Sequence, residues 1–142
     1  MTYLLDTNVV SEWVKPRPDP GVVSWLAEAQ EDQVFVSVCT LAELRFGAAR
    51  MPAGRRRDQL DSWLSHDVPL RFEGRIIPVD TAIADAWGWI NARGKSTGQS
   101  IDVMDGLIAA TAETFRLTVV TRDESVFQGI GAPVLNPWTK GR

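Results

Sequence analysis

The chain has 142 residues, of which 44% are hydrophobic and 23% charged, as expected of one ordinary globular domain over residues 1–142. Its net charge of −3 argues against a protein that binds nucleic acid by bulk electrostatic attraction. Its apolar runs are all shorter than the ~20 residues that cross a bilayer, and Asp6 interrupts any N-terminal signal segment, so we expect a cytoplasmic protein without a membrane partner.

Five short apolar runs predict strands, at residues 2–5, 34–38, 76–79, 117–121 and 133–136. Longer segments between them predict helices, at residues 22–30, 40–50, 55–65, 81–92 and 100–115. Strands that alternate with helices are typical of an α/β domain with a buried parallel sheet. The sequence therefore predicts a three-layer, doubly wound domain with a mainly parallel sheet of about five strands.

Two acidic residues follow predicted strands. Asp6 comes directly after the first strand, and Asp123 lies two residues beyond the fourth. Ligands of open α/β sheets bind at the carboxyl ends of the strands. If these two strands are parallel, both carboxylates lie at one edge of the sheet, where Asn8 and Thr121 add further polar groups.

Two more acidic residues interrupt largely apolar helix faces. Ile108 lies one turn from Asp105, and Cys39 and Phe46 lie one turn from Glu43. A buried carboxylate is costly unless it is paired or coordinates a metal. Each acid taken alone is more typical of a cap, a turn or a solvated position than of a metal site, so the prediction depends on all four converging.

A cluster of four carboxylates requires a counterion. Two carboxylates ~5 Å apart repel by about 3 kcal/mol at an effective dielectric constant of ~20. No Lys or Arg lies on the helix faces beside Glu43 and Asp105, which favours a divalent cation with oxygen ligands, Mg²⁺ or Mn²⁺. Cys39 and His66 lack the spacing of a zinc site.

The acidic segments resemble those of the PIN-domain nucleases, and specifically of the VapC-type toxins of bacterial toxin–antitoxin pairs. Residues 4–12 resemble the family's first strand and first acid, and residues 38–47 the helix with its Glu. Residues 105–112 and 118–123 resemble the segments with the third and fourth acids, and residues 136–138 are similar to the FitB-like branch. The resemblance covers essentially the whole chain.

This resemblance implies a metal-dependent endoribonuclease that hydrolyses RNA phosphodiester bonds. Asp6, Glu43, Asp105 and Asp123 would be its catalytic and metal-binding residues, directly or through water, with Mg²⁺ or Mn²⁺ as the cofactor. Asn8 and Thr121 would orient the carboxylates by hydrogen bonds. Many relatives carry another acid after the fourth one, and Glu124 followed by Ser125 stands there, so the number of ions is left open.

The resemblance also implies partners. They are the RNA substrate, a cognate VapB-like antitoxin that covers the acidic pocket, and a second copy of the chain in a homodimer. Operator DNA would be bound only through the antitoxin.

Two other functions are compatible with parts of the sequence. An acid after the first strand is also found in phosphotransfer domains, of the phosphatase or receiver type, but the phosphatases need a second Asp where this chain has Asn8. A non-catalytic interaction module is the other alternative. Gly94-Lys95-Ser96 is not a phosphate-binding loop, because Trp89 occupies the position of its first Gly, and we expect a turn at residues 93–98.

Two further features favour structural roles. The three arginines at residues 55–57 are typical of a solvated helix face. The six tryptophans favour core packing or a subunit interface over base stacking.

Overall fold

The five predicted strands form one sheet in the computed structural model, which describes residues 1–138. The strands are β1 (Tyr3–Leu5), β2 (Val34–Ser37), β3 (Ile76–Ile77), β4 (Thr118–Val120) and β5 (Val134–Leu135). Their order is β3-β2-β1-β4-β5, and every neighbouring pair is parallel. The predicted fold class is confirmed.

Within residues 1–138, eight α-helices connect and cover the strands. They are α1 (Thr7–Glu12), α2 (Pro20–Glu28), α3 (Val38–Ala49), α4 (Arg55–Ser62), α5 (Val68–Arg71), α6 (Thr81–Ser96), α7 (Val103–Phe115) and α8 (Glu124–Phe127). A single π-type turn, Trp63–Asp67, joins α4 to α5. The five predicted helices correspond to α2, α3, α4, α6 and α7.

Capping residues explain where two predicted boundaries were wrong. The second strand was predicted to include Val38, but Ser37 Oγ accepts a hydrogen bond of 3.0 Å from Cys39 N, so α3 begins at Val38, two residues before its predicted start. Helix α2 begins at Pro20, two residues before its predicted start, because Asp19 caps it and proline suits the first helical turn.

The predicted turn at residues 93–98 was also wrong over most of its length. Helix α6 continues through Gly94-Lys95-Ser96, and the chain turns only at Gly98, whose φ is +75°. Helix α7 begins at Val103 rather than at residue 100, because Asp102 caps it. The Gly-Lys-Ser sequence thus lies on a helix, as expected if it is not a phosphate-binding loop.

Side chains of consecutive strand residues enter two cores, one on each face of the sheet. Leu4 and Val119 belong to the core covered by α6 and α7. Leu5 and Val120 belong to the core covered by α1, α2 and the π-type turn. This alternation produces the three layers.

Most of the tryptophans pack against the cores, as we expected from their number. Five of them, Trp13, Trp25, Trp63, Trp87 and Trp138, pack against the two cores, whereas Trp89 is 65% exposed. Cys39 is buried and belongs to the core. Over residues 1–138, no helix has both the length and the apolar character needed to cross a bilayer.

Candidate active site

Asp6 lies at the carboxyl edge of the sheet, between the central strand β1 and its neighbour β4. It follows β1, and its backbone N–H donates a hydrogen bond of 2.9 Å to the carbonyl of Val120 at the end of β4. Its carboxylate caps α1, where Oδ1 accepts a bond of 2.8 Å from Thr7 N. The carboxylate is therefore buried and fixed at the start of a helix.

Asn8 and Thr121 connect Asp6 to Asp123, which precedes α8. Thr121 Oγ1 donates to Asp6 Oδ2 at 2.8 Å and accepts from Asp123 N at 3.0 Å. Asn8 Nδ2 donates to Asp123 Oδ2 at 3.2 Å. These contacts bring the acids that follow β1 and β4 to one edge, with the orienting neighbours that the sequence suggested.

Glu43 reaches the same edge from α3 through a residue that the sequence analysis missed. Thr7 Oγ1 donates a hydrogen bond of 2.6 Å to Glu43 Oε1 and lies 3.3 Å from Thr40 Oγ1. Thr7 also donates its backbone N–H to Asp6, so one residue holds both carboxylates. The sequence feature that could have identified Thr7 is the Asp-Thr-Asn segment itself, in which Thr7 stands between two predicted site residues.

Asp105 lies on the first turn of α7 and completes the acidic cluster. Burial raises the pKa of Asp105 to about 6, and repulsion from Asp6, Asp102, Glu43 and Asp123 adds to this shift. The repulsion means that the other three predicted acids lie within electrostatic reach of Asp105. Asp102, which caps α7, is an acid at this edge that the sequence analysis did not single out.

The same forces act on Asp6. Burial is the largest cause that raises the pKa of Asp6, and repulsion from Glu43 and Asp123 works in the same direction. The hydrogen bonds from Thr121 and Thr7 oppose the shift. The site thus holds at least two carboxyl groups whose charged form is disfavoured without a counterion.

Close packing of α7 against α6 sets the position of Asp105. At Gly106, the next residue, an added Cβ would lie 3.0 Å from Nε1 of Trp87 on α6. This is tighter than nine in ten real Cβ contacts, so a larger residue at this position would require the indole of Trp87 or the helices to shift by a few tenths of an ångström. The backbone beside Asp105 is held by that contact.

The donor set fits a hard divalent cation. The cluster offers carboxylate oxygens, and no cation of the chain forms an ion pair of 4.0 Å or less with any of the four predicted acids among residues 1–138. Within the same residues, no three His, Cys, Asp or Glu side chains stand close enough to hold an ion by themselves. A cation here would be held by fewer carboxylates together with water molecules, as Mg²⁺ commonly is.

Comparisons with known proteins identify a family and similar proteins. The chain matches the family described as PIN domain over residues 3–132. It is similar to the VapC ribonuclease Y4jK of Sinorhizobium fredii, at 40% identity over 95% of this chain and 96% of that protein. It is also similar to the toxin FitB of Neisseria gonorrhoeae, at 41% identity over 95% of this chain and 97% of that protein.

A solved structure has nearly the same fold along its whole length. The structure of FitAB bound to an IR36 DNA fragment superposes with a TM-score of 0.92 at 37% sequence identity, over 99% of each chain.

Proposed function

This chain belongs to the PIN-domain family, and we propose that it is the metal-dependent endoribonuclease toxin of a bacterial type II toxin–antitoxin pair. The observation that carries the proposal is the convergence of Asp6, Glu43, Asp105 and Asp123 at the carboxyl edge of the sheet. Relatives of similar length and fold are named as ribonucleases and toxins. The phosphotransfer and non-catalytic alternatives have no comparable support.

We propose that the four carboxylates surround a site for Mg²⁺ or Mn²⁺, bind the ion directly or through water, and are the catalytic residues. A bound ion would neutralise charge on the scissile phosphate and lower the pKa of a coordinated water. Asp6 and Asp105 suit this role because each is dehydrated and repelled by its neighbours until a cation arrives. Asp123 is exposed at the mouth of the site, where it can contact the ion or the attacking water.

Asn8, Thr121 and Thr7 would keep this arrangement rigid. Thr121 and Thr7 each donate to one oxygen of Asp6, which fixes the plane of the carboxylate, and Asn8 Nδ2 also donates to Oδ2 at 3.5 Å. Asn8 directs Asp123 toward the same edge. Groups that orient metal ligands commonly change metal affinity or activity by roughly 10–100-fold when they are removed.

The partners follow from the family. RNA is the substrate of proteins named VapC ribonuclease, and the FitAB and VapBC structures are complexes of toxin with antitoxin. We infer that a VapB-like antitoxin neutralises this chain by covering the acidic edge, and that DNA is reached only through that antitoxin.

Further properties belong to the same proposal. We place the protein in the cytoplasm, where its RNA substrate is, and treat residues 1–142 as one domain. A homodimer is expected from the family, and large exposed apolar side chains support an interface: Phe46 is 62%, Leu70 75% and Trp89 65% exposed.

The test is cleavage of RNA by the purified chain. Cleavage should require Mg²⁺ or Mn²⁺, stop with EDTA and be abolished in Asp6→Asn, whose circular dichroism should match that of the parent. The exposed Asp85 on α6 provides the control variant, Asp85→Asn, which should cleave normally. Full activity of Asp6→Asn with Mg²⁺ present would refute the proposal.

A further inference from the structure

A large cleft opens beside the acidic cluster. It has a volume of about 710 Å³ and lies between the end of α6, the segment 97–102 that leads into α7, and helix α8. Asp105 lines it and is also part of the acidic cluster. Sites for small organic groups commonly have roughly 300–1,000 Å³, so the cleft has room for one such group next to the scissile phosphate.

The walls of the cleft suit a flat, uncharged group with polar edges. Ile90, Ile101, Val126 and Ile130 supply apolar surface. Gln99 and Ser100 supply hydrogen-bonding groups on the segment between α6 and α7. A nucleobase has these two properties, an apolar face and an edge of donors and acceptors.

Gln99 lies on the wall of the cleft, and its side-chain amide is available to form hydrogen bonds with a ligand. The backbone N–H of Gln99 donates a hydrogen bond of 2.7 Å to the carbonyl of Gly94, which fixes the segment between α6 and α7. A Cβ added at Gly129 would lie 3.3 Å from Gln99 Oε1, so the amide rests against a residue without a side chain. Within residues 1–138 the side chain of Gln99 forms no hydrogen bond.

The charges around the cleft disfavour a second phosphate there. Arg93 lines it but is engaged with Glu113, at 2.9 Å between Nη2 and Oε2. Asp102 and Asp105 lie in the same wall. An acidic wall whose arginine is paired repels a phosphate more than it repels a neutral base.

We propose that this cleft is a nucleobase subsite, in which Gln99 reads the edge of the base of a nucleotide adjoining the cleaved bond. The proposal rests on the proposed ribonuclease function. A glutamine side chain both donates and accepts, so it pairs with some base edges and leaves a partner unsatisfied with others. The subsite therefore gives the enzyme a preference at one nucleotide position.

The experiment compares RNAs that differ only at the two nucleotides flanking the bond that the parent cleaves most in a mapped RNA. Gln99→Ala removes the amide, and Gly129→Leu fills the cleft, with the flexible end of Gln99 as its nearest neighbour. Gln59→Ala, on the exposed surface of α4, is the matched control. The ratios of kcat/KM among the RNAs are measured for each variant.

Gln99→Ala should change the ratios at one flanking position by about fivefold, the effect of one neutral hydrogen bond, and Gly129→Leu should change them at the same position. Gln59→Ala should leave them unchanged. Ratios equal to those of the parent in both cleft variants would overturn the nucleobase subsite. The cleft would then be assigned to a protein segment as its occupant.

A second measurement separates this inference from the ribonuclease assignment. The four uncharged ribonucleosides are titrated into the parent protein, and the amide NMR signals of Gln99, Ser100 and Gly129 are followed. Shifts that Gly129→Leu abolishes support the subsite even if the parent cleaves no RNA. Unchanged signals with all four nucleosides would overturn it, whatever the outcome of the cleavage assay.

Discussion

Thr121 Oγ1 donates a hydrogen bond of 2.8 Å to Asp6 Oδ2, and both side chains are buried at the carboxyl edge of the sheet. The two residues are 115 positions apart in the chain, yet they follow the adjacent parallel strands β1 and β4. Because Thr121 Oγ1 also accepts a hydrogen bond from Asp123 N, a single hydroxyl group helps to fix the position of Asp123 relative to Asp6.

Thr121→Val should lower RNA cleavage by roughly 10–100-fold, because Asp6 loses the donor that fixes its orientation. The rate is measured under saturating Mg²⁺, with thermal unfolding recorded in parallel. Thr111→Val is the matched control, since Thr111 is also fully buried but donates to the carbonyl of Leu107 within its own helix. Equal losses of activity in the two variants would mean that the hydroxyl of Thr121 matters only for folding.

Asp105 should make the metal-free protein less stable as the pH rises. Burial raises its pKa to about 6, from an ordinary value of 3.8. The folded chain therefore holds this proton more tightly than the unfolded chain does, and the free energy of unfolding falls as the pH rises from about 4 to about 6.

Asp105→Asn removes this dependence. The difference in Tm between Asp105→Asn and the parent should therefore be constant below pH 4 and increase between pH 4 and pH 6, because the parent loses stability over that range. Scans of Tm against pH in EDTA check this, with Asp85→Asn as an exposed control that should show no such rise. A parallel pair of curves for Asp105→Asn and the parent would contradict the shifted pKa.

A divalent cation should reverse the instability that Asp6 and Asp105 cause. A ligand that binds only the folded state stabilises it in proportion to the logarithm of its concentration above Kd. Mg²⁺ or Mn²⁺ should therefore raise the Tm of the parent at pH 7 and raise that of Asp6→Asn much less. Equal increases in the two proteins would place the ion elsewhere.

The sequence was sufficient to predict the placement of Asp6 and Asp123. Both follow short, largely apolar strands whose parallel arrangement determines which edge they occupy. The short helix α1 and the π-type turn at Trp63–Asp67 were not predicted, because elements of five or six residues contain too little periodicity to detect.

Tertiary contacts that no sequence pattern encodes account for the rest of the site. The hydrogen bond from Thr7 to Glu43 depends on the packing of α1 against α3, and the elevated pKa of Asp105 depends on burial. The cleft beside Asp105 forms only when α6, α7 and α8 are assembled. Residue types and spacing identified the acids, but not the groups that orient them.

The approach of α7 to α6 should depend on Gly106. In Gly106→Ala, the new Cβ would lie 3.0 Å from Trp87 Nε1, so the indole or the helices must shift by a few tenths of an ångström. We expect a loss of about 1–3 kcal/mol in the free energy of unfolding, as for other overpacked sites, together with reduced cleavage, because Asp105 is the preceding residue.

Gly88 on α6 offers the matched control, since an added Cβ there meets no atom within 4 Å. Gly88→Ala should stabilise the protein by about 0.5–1 kcal/mol through its helix propensity, without changing cleavage. Urea unfolding measures the free energy of unfolding of both variants. An unchanged value for Gly106→Ala would show that Trp87 does not exclude a larger side chain at this position.

The anomalous diffraction of crystals soaked in Mn²⁺ tests the central claim most directly, because it locates the ion and its ligands together. We predict a peak at the carboxyl edge of the sheet, bounded by the carboxylates of Asp6 and Asp105 and completed largely by water, and no such peak in Asp6→Asn crystals. A Mn²⁺ peak only at some other place on the surface, with the carboxylates of the parent protein in contact with no ion, would contradict it.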